Sequence, residues 1–210
     1  MRIILASNSP RRASIMQLAN IDFEIIKSDF DESSVKETDI EKLSEELAYQ
    51  KAFKVYDNTQ GDRAVIGSDT LVVKDGNIFG KPKDRLDAIK MLKTIQGGEH
   101  TVYTSVAILI EDRGRESKYK EVVKTELVVN PMTDEEIAEY IDLEEPYDKA
   151  GAYAIQSSFC KYIDVISGNY MGVVGLPIDR IYKVLKRPRN KGDSIRNRLF
   201  SYTLLRCFFV

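Results

Sequence analysis

Apolar residues along this chain switch repeatedly between a spacing of two and a spacing of three to four, as expected when strands and helices follow one another. Ile3 to Ala6 is an apolar run that predicts a strand. A helix is expected from Pro10 to about Ala19, with Ser9 as cap and Pro10 at the first helical position. Phe23 to Ile26 reads as a second strand, followed by the acidic loop SDFDESS. Ile40, Leu43, Leu47, Ala48 and Val55 form a stripe on a helix from about 40 to 56. AVIGSD predicts a buried strand ending at Asp69, and LVVKDGNIF a hairpin turning at Asp75 and Gly76. Leu86, Ile89, Leu92 and Ile95 mark another helix. HTVYTSVAILI and KYKEVVKTELVV read as two long strands joined by a charged turn. Thr133 and Glu136 form a capping box for the helix DEEIAEYI. AYAIQ and KYIDVI are expected to be strands, GNYMGVVGLP a glycine loop, and Pro177 the start of a helix lined by Ile178, Ile181 and Leu185.

Composition narrows the class. With 210 residues, 43% of them hydrophobic, the chain can bury a core as one large domain or two small lobes. A formal net charge of -2 offers no global attraction to nucleic acid or an anionic membrane, so no stable nucleic-acid partner is expected. The two cysteines, Cys160 and Cys207, lack a ligand-like spacing, which argues against a disulfide framework or a zinc-thiolate site. The first strand follows Met1 and Arg2 with no room for a signal peptide, and no window approaches about 18 consecutive apolar residues. A cytoplasmic protein without a membrane span is the expectation.

The charge balance shifts near the end. From Lys186 onward seven Lys or Arg stand against one Asp, and the chain closes on the apolar LFSYTLLRCFFV. The expected division is a body of residues 1–186 and a basic, apolar tail of residues 187–210. The tail is expected to be a loosely packed appendage whose removal leaves activity nearly intact; packing on the body or a partner subunit, and membrane or nucleic-acid contact, are the other options.

Polar residues at predicted strand ends carry the candidate chemistry. In LASNSPRR an apolar strand hands over to a helix start, where free backbone N–H groups beside Arg11 and Arg12 favour an anion. Asp69, followed by Thr70, is either a turn former or a group aimed into a crevice. Its company includes Asp31 and Glu32 in the acidic loop and Lys81 in GKP. Carboxylates hold a divalent metal or orient water, while Arg and Lys neutralise phosphate oxygens. Lys51 is either a solvated lysine or a phosphate contact from the polar face of its helix, and His100 is either a base or a structural hydrogen-bonding residue. In DKAGAYAIQ, with Lys149 and Tyr153, Gly151 permits close backbone approach and Gln156 can both donate to and accept from a base edge.

LASNSPRR, FDE, LAYQKA, VIGSDT, GKP, GGEHTVYTS, DKAGAYAIQ and VVGLP, in this order over residues 2 to about 186, closely resemble the Maf family of nucleoside triphosphate pyrophosphatases. The resemblance implies an α/β fold of the Maf/ITPase-like kind: an elongated mixed sheet flanked by helices, two lobes around a substrate cleft, and often a homodimer. It also implies hydrolysis of a nucleoside triphosphate to the monophosphate and pyrophosphate with a divalent cation, Mg2+ or Mn2+. By motif, Asp69 takes the position of the general base. Ser7, Arg11, Arg12, Lys51 and Lys81 fall at phosphate positions, and Glu32 joins Asp69 at the metal. Arg11, Thr70 and Gln156 match the branch acting on dTTP and UTP. The alternatives are 7-methyl-GTP or another modified nucleotide as substrate, and a regulatory nucleotide-binding protein linked to septum formation. Two positions depart from the family pattern, Ser68 before the aspartate and Ser105 after HTVYT.

Overall fold

The computed structural model describes residues 1–186; the tail predicted from residue 187 lies outside the described residues. Seven strands form one mixed sheet: β1 (Arg2–Leu5), β2 (Glu24–Ile25), β3 (Arg63–Lys74), β4 (Asn77–Phe79), β5 (Gly98–Asp112), β6 (Arg115–Val129) and β7 (Ile163–Ser167). Their order is β2-β1-β3-β5-β6-β7, with β4 paired to β3. β1 runs parallel to β2 and β3, whereas β3, β5, β6 and β7 pair antiparallel. The helices are α1 (Pro10–Leu18), α2 (Ile40–Asp57), α3 (Arg85–Ile95), α4 (Asp134–Glu144), α5 (Tyr170–Val174) and α6 (Ile178–Leu185).

Period-two alternation sorts the sheet residues into two layers. Leu5, Ala64, Ile66, Val106 and Ile108 face α1 and α6 through Ile15, Met16 and Ile181, with Leu176 from the stretch just before α6. Ile4, Ala6, Val65, Ala107 and Leu109 face α2 through Ala48, Ala52 and Val55. A separate cluster fills the other end of the long strands, where Val72, Val102, Leu127 and Val129 meet Leu92, Ile95, Ile137, Ile141 and Phe159. β3, β5 and β6 therefore run through two apolar lobes, in agreement with the elongated two-lobed sheet expected.

Three local expectations are corrected. AVIGSD and LVVK are one continuous strand, so Asp69 lies in the middle of β3 rather than at its end. This central stretch is where the lobes meet, and that junction, not a strand terminus, supplies the crevice. AYAIQ is not a strand: Gly151 (φ 68°) and Ala152 (φ 61°) bend the backbone out of the extended region. Tyr153 and Ile155 still alternate into the core, but the Ala154 N–H donates to the Tyr140 hydroxyl (3.2 Å). GNYMGVVGLP holds the helical turn α5, capped by Asn169, whose side chain accepts from the Gly172 N–H. The predicted hairpin is present, with Lys74 paired to Asn77 around Asp75–Gly76, and the Thr133–Glu136 capping box closes as expected.

Candidate active site

A cleft of about 600 Å³ opens at the junction of the lobes. Ser7, Arg11, Arg12, Glu32, Lys51, Asp69, Thr70, Lys81 and Gln156 line it, whereas Asp31 and His100, also candidates in the sequence, do not. They converge from six separate stretches, and the packing of α2 on β3 explains how two of them meet. A Cβ at Gly67 would lie 2.3 Å from the Ala48 carbonyl oxygen and 2.7 Å from the Ala52 nitrogen, so only glycine admits this approach. Lys51, on the same stretch of helix, then reaches Asp69, which shares a strand face with Gly67.

Lys51 Nζ lies 2.5 Å from Asp69 Oδ1 and 2.8 Å from Glu32 Oε1. Lys51 is thus committed to two carboxylates rather than solvated. Asp69 is buried, and its second oxygen, Oδ2, has no hydrogen-bond partner among the described residues. Glu32 stands on the 3-10 turn Glu32–Ser34, which Asp31 caps by accepting from the Ser33 N–H (3.0 Å) and hydroxyl (2.7 Å). Asp31 is therefore a turn former that presents Glu32. Burial pushes the Glu32 carboxyl up, but the Lys51 hydrogen bond and the surrounding cations outweigh it and the net shift is downward.

The opposite face of β3 serves the arginine. Arg12 Nε donates to the Gly175 carbonyl (2.9 Å), with longer contacts from its two terminal nitrogens to Ser7 Oγ (3.3 Å) and Thr70 Oγ1 (3.4 Å). Burial lowers its guanidinium and the nearby Asp69 charge opposes that shift. Ser68, one of the two departures from the family pattern, donates toward the same Gly175 carbonyl (3.0 Å) and toward the Ser105 carbonyl (2.8 Å). Ser105, the other, shares a buried 2.5 Å hydrogen bond with Ser44 on α2. Both hydroxyls thus tie elements together behind the cleft.

Ser9 occupies the cap position of α1 but makes no side-chain cap bond; Ser7 Oγ instead accepts from the Ser9 N–H (3.1 Å). Lys81 is exposed on the cleft rim, in a turn held by the Gly151 N–H donating to the Gly80 carbonyl (3.0 Å). A Cβ on Gly151 would press on Ile95 and Val72 at 3.0 Å, which is the close approach its position requires. Gln156 is exposed on the wall, near the buried Tyr153. His100 stands behind that tyrosine, Nε2 2.6 Å from the Tyr153 hydroxyl; burial, helped by Lys74, pulls its imidazole down to about 4. It is neutral at physiological pH and serves as a structural partner. Sequence reasoning missed Asp148, which pairs with Arg11 (2.6 Å) and Lys149 (2.7 Å), and the Gly175 carbonyl. Asp148 opens the stretch DKAGAYAIQ; the carbonyl carries no side-chain signal.

Among the described residues no group of three or more His, Cys, Asp or Glu gathers as a ready metal cage. Two carboxylates bridged by an ammonium, one with an orphaned buried oxygen, nevertheless suit a hard cation that takes one or two carboxylates and completes its shell with phosphate and water.

Sheet and cleft together define an α/β protein whose interlobe site sets cations around a carboxylate pair. The chain belongs to the family of Maf-like proteins, whose model matches residues 2–188. It is 43% identical over 188 residues to the dTTP/UTP pyrophosphatase of Caldanaerobacter subterraneus subsp. tengcongensis, covering 89% of each chain. It is 44% identical over 185 residues to the dTTP/UTP pyrophosphatase of Clostridium novyi, covering 88% of this chain and 96% of that one. Among solved structures the Staphylococcus aureus Ham1 protein overlaps 61% of this chain and 72% of its own, with 18% identity and a TM-score of 0.38. No helix of the described residues is long and apolar enough to cross a membrane.

Proposed function

We propose that this chain hydrolyses dTTP and UTP to the nucleoside monophosphate and pyrophosphate. The observation that carries the reading is the buried Asp69 carboxylate, held on one oxygen by Lys51 and open on the other, at the floor of a cleft lined by Arg11, Arg12 and Lys81. The names of the relatives supply the substrates.

The arginines and Lys81 neutralise the triphosphate, and Arg12, already anchored through Nε, presents its terminal nitrogens along a fixed direction. Lys51 holds the Asp69 carboxylate in a fixed orientation through Oδ1. Asp69 Oδ2 then accepts a proton from water as the water oxygen bonds to the α-phosphorus. The bond from that phosphorus to the bridging oxygen breaks, and pyrophosphate leaves with the electron pair. Asp69 and Glu32 would hold a divalent cation, Mg2+ or Mn2+, which supplies positive charge against the phosphate and acidifies bound water. Gln156 reads the pyrimidine: its amide offers a donor to a carbonyl and an acceptor to N3–H, a pattern that uracil and thymine satisfy and cytosine does not. Residues 1–186 carry all of these groups, so truncation after Lys186 is expected to preserve turnover per folded molecule.

Hydrolysis in oxygen-18 water tests the reaction. Label is expected in the monophosphate; label confined to pyrophosphate would overturn attack at the α-phosphorus. A panel of canonical and modified triphosphates tests the substrate, with dTTP and UTP expected to show the highest kcat/KM.

A further inference from the structure

Across the mouth of the cleft, the first turn of α1 is joined to the 3-10 turn Pro146–Asp148 of the other lobe. Arg11 Nη1 donates to Asp148 Oδ2 (2.6 Å) and Nη2 to the Asp148 carbonyl oxygen (3.3 Å). The remaining carboxylate oxygen, Oδ1, accepts from Lys149 Nζ (2.7 Å). One carboxylate thereby occupies two cations of the cleft wall, each through its own oxygen. The arrangement matches the way two oxygens of a phosphate would bridge an arginine and a lysine.

The exposures of the three side chains differ in an informative way. Arg11 and Lys149 are 22% and 15% exposed, so each is substantially withdrawn from water and favours a counter-anion. Asp148 is 55% exposed, so a small rotation returns its carboxylate to solvent at little desolvation cost. Burial pushes the Asp148 carboxyl up, yet the hydrogen bonds and charges of Lys149 and Arg11 together outweigh it and hold it at about 2, which keeps it charged at neutral pH.

We propose that Asp148 is a built-in competitor for the substrate: it occupies Arg11 and Lys149 across the cleft mouth and is displaced by a polyphosphate. This deepens the functional reading above and rests on it. The competition makes Asp148 a determinant of ligand charge, because a ligand must outbid a carboxylate already in place. A triphosphate, with several charges to distribute over Arg12, Lys81 and the released pair, does so; ligands of lower charge gain less from the same exchange.

The test is equilibrium binding of inorganic pyrophosphate and of an α,β-imido deoxyuridine triphosphate, which cannot be cleaved at that bridge, to the full chain. Asp148→Asn keeps the size of the side chain and the backbone bond to Arg11 while removing the charge. It is expected to bind both probes about fivefold more tightly at low salt, the scale of one exposed ion pair, with the gain shrinking as salt is added. In an Arg11→Ala background the same substitution is expected to give less than half of that gain. Asp148→Ser repeats the measurement with a different short polar group, so a folding defect in one variant does not decide the result. An equal gain in both backgrounds would reduce Asp148 to simple repulsion and overturn the competition, as would binding that is unchanged or weaker in folded variants. Wild-type protein that binds neither probe would overturn the functional reading and the competitor together. Wild-type protein that binds and turns over, beside variants that bind no more tightly, would overturn the competitor alone.

Discussion

Lys51 Nζ lies 2.5 Å from Asp69 Oδ1, although one residue projects from a helix and the other from the middle of a strand. The pair exists because α2 sits almost on the β3 backbone at Gly67. Its ammonium also holds Glu32, so three elements of the chain share a single positive charge.

Asp69→Asn preserves shape and one acceptor for Lys51 but removes the charge that accepts a proton or binds a cation. Turnover of dTTP is expected to fall at least about a hundredfold, the lower range for lost proton transfer. Lys51 keeps Glu32 as partner, so the melting temperature followed by circular dichroism is expected to move by only about 3 °C. Turnover close to wild type would remove Asp69 from the reaction.

Gly67→Ala places a methyl group inside the contact with Ala48 and Ala52, against backbone atoms that cannot rotate away. Urea unfolding is expected to show a loss of about 3 kcal/mol or more, beyond ordinary overpacking. Residual folded protein is expected to turn over more slowly, because separating α2 from β3 lengthens the Lys51–Asp69 contact. Wild-type stability would mean that the two elements can part without cost.

Gln156→Ala leaves the phosphate contacts in place and removes one amide from the cleft wall. The ratio of kcat/KM for UTP over CTP is expected to fall by about tenfold, the scale of a lost polar match in a partly solvated site. A wild-type panel in which 7-methyl-GTP outcompetes dTTP and UTP would redirect the specificity and leave the hydrolysis intact.

His100 makes folding sensitive to acid. Burial holds its pKa at about 4 in the folded protein, against about 6.5 in an unfolded chain. Between those values the unfolded chain binds the additional proton, so stability rises with pH through the window and is lost on acidification from 6.5 toward 4. Urea unfolding at pH 7 and pH 4.5 is expected to differ by roughly 2 kcal/mol from this residue. His100→Gln, in a chain with a single histidine, is expected to flatten the slope; an unchanged slope would assign it to other groups.

The helices and long strands were legible because their burial is one-sided and their periods are clean, as in the stripe Leu47, Ala48 and Val55 on α2. The family-matched residues of the cleft were legible through the order of their motifs, and the structure gathers Ser7, Arg11, Arg12, Glu32, Lys51, Asp69, Thr70, Lys81 and Gln156 in one place. What the sequence concealed is pairing. AYAIQ alternates like a strand, yet the positive φ values at Gly151 and Ala152 turn it into a core-filling loop, and no periodicity reports a torsion angle. Lys51 is open in sequence between a solvated lysine and a phosphate contact, and its pairing with two carboxylates is concealed because those partners lie 18 and 19 positions away. Asp148 and Arg11 are separated by 137 positions, and nothing in the pattern around Asp148 marks it as the partner of an arginine at a helix start.

Arg12 has spent its rotational freedom before any ligand arrives. Its Nε is fixed by the Gly175 carbonyl, and Ser68 approaches that same carbonyl from the strand below. Ordering a free arginine on binding costs on the order of 1 kcal/mol of side-chain entropy, a charge here met during folding. The two neighbouring arginines therefore differ in kind. Arg12 is a rigid template, set once when the chain folds, while Arg11 must exchange one partner for another at every turnover. Ligands that engage only Arg12 should bind with little entropic penalty from the protein, and any slow step in cleft opening belongs to its neighbour.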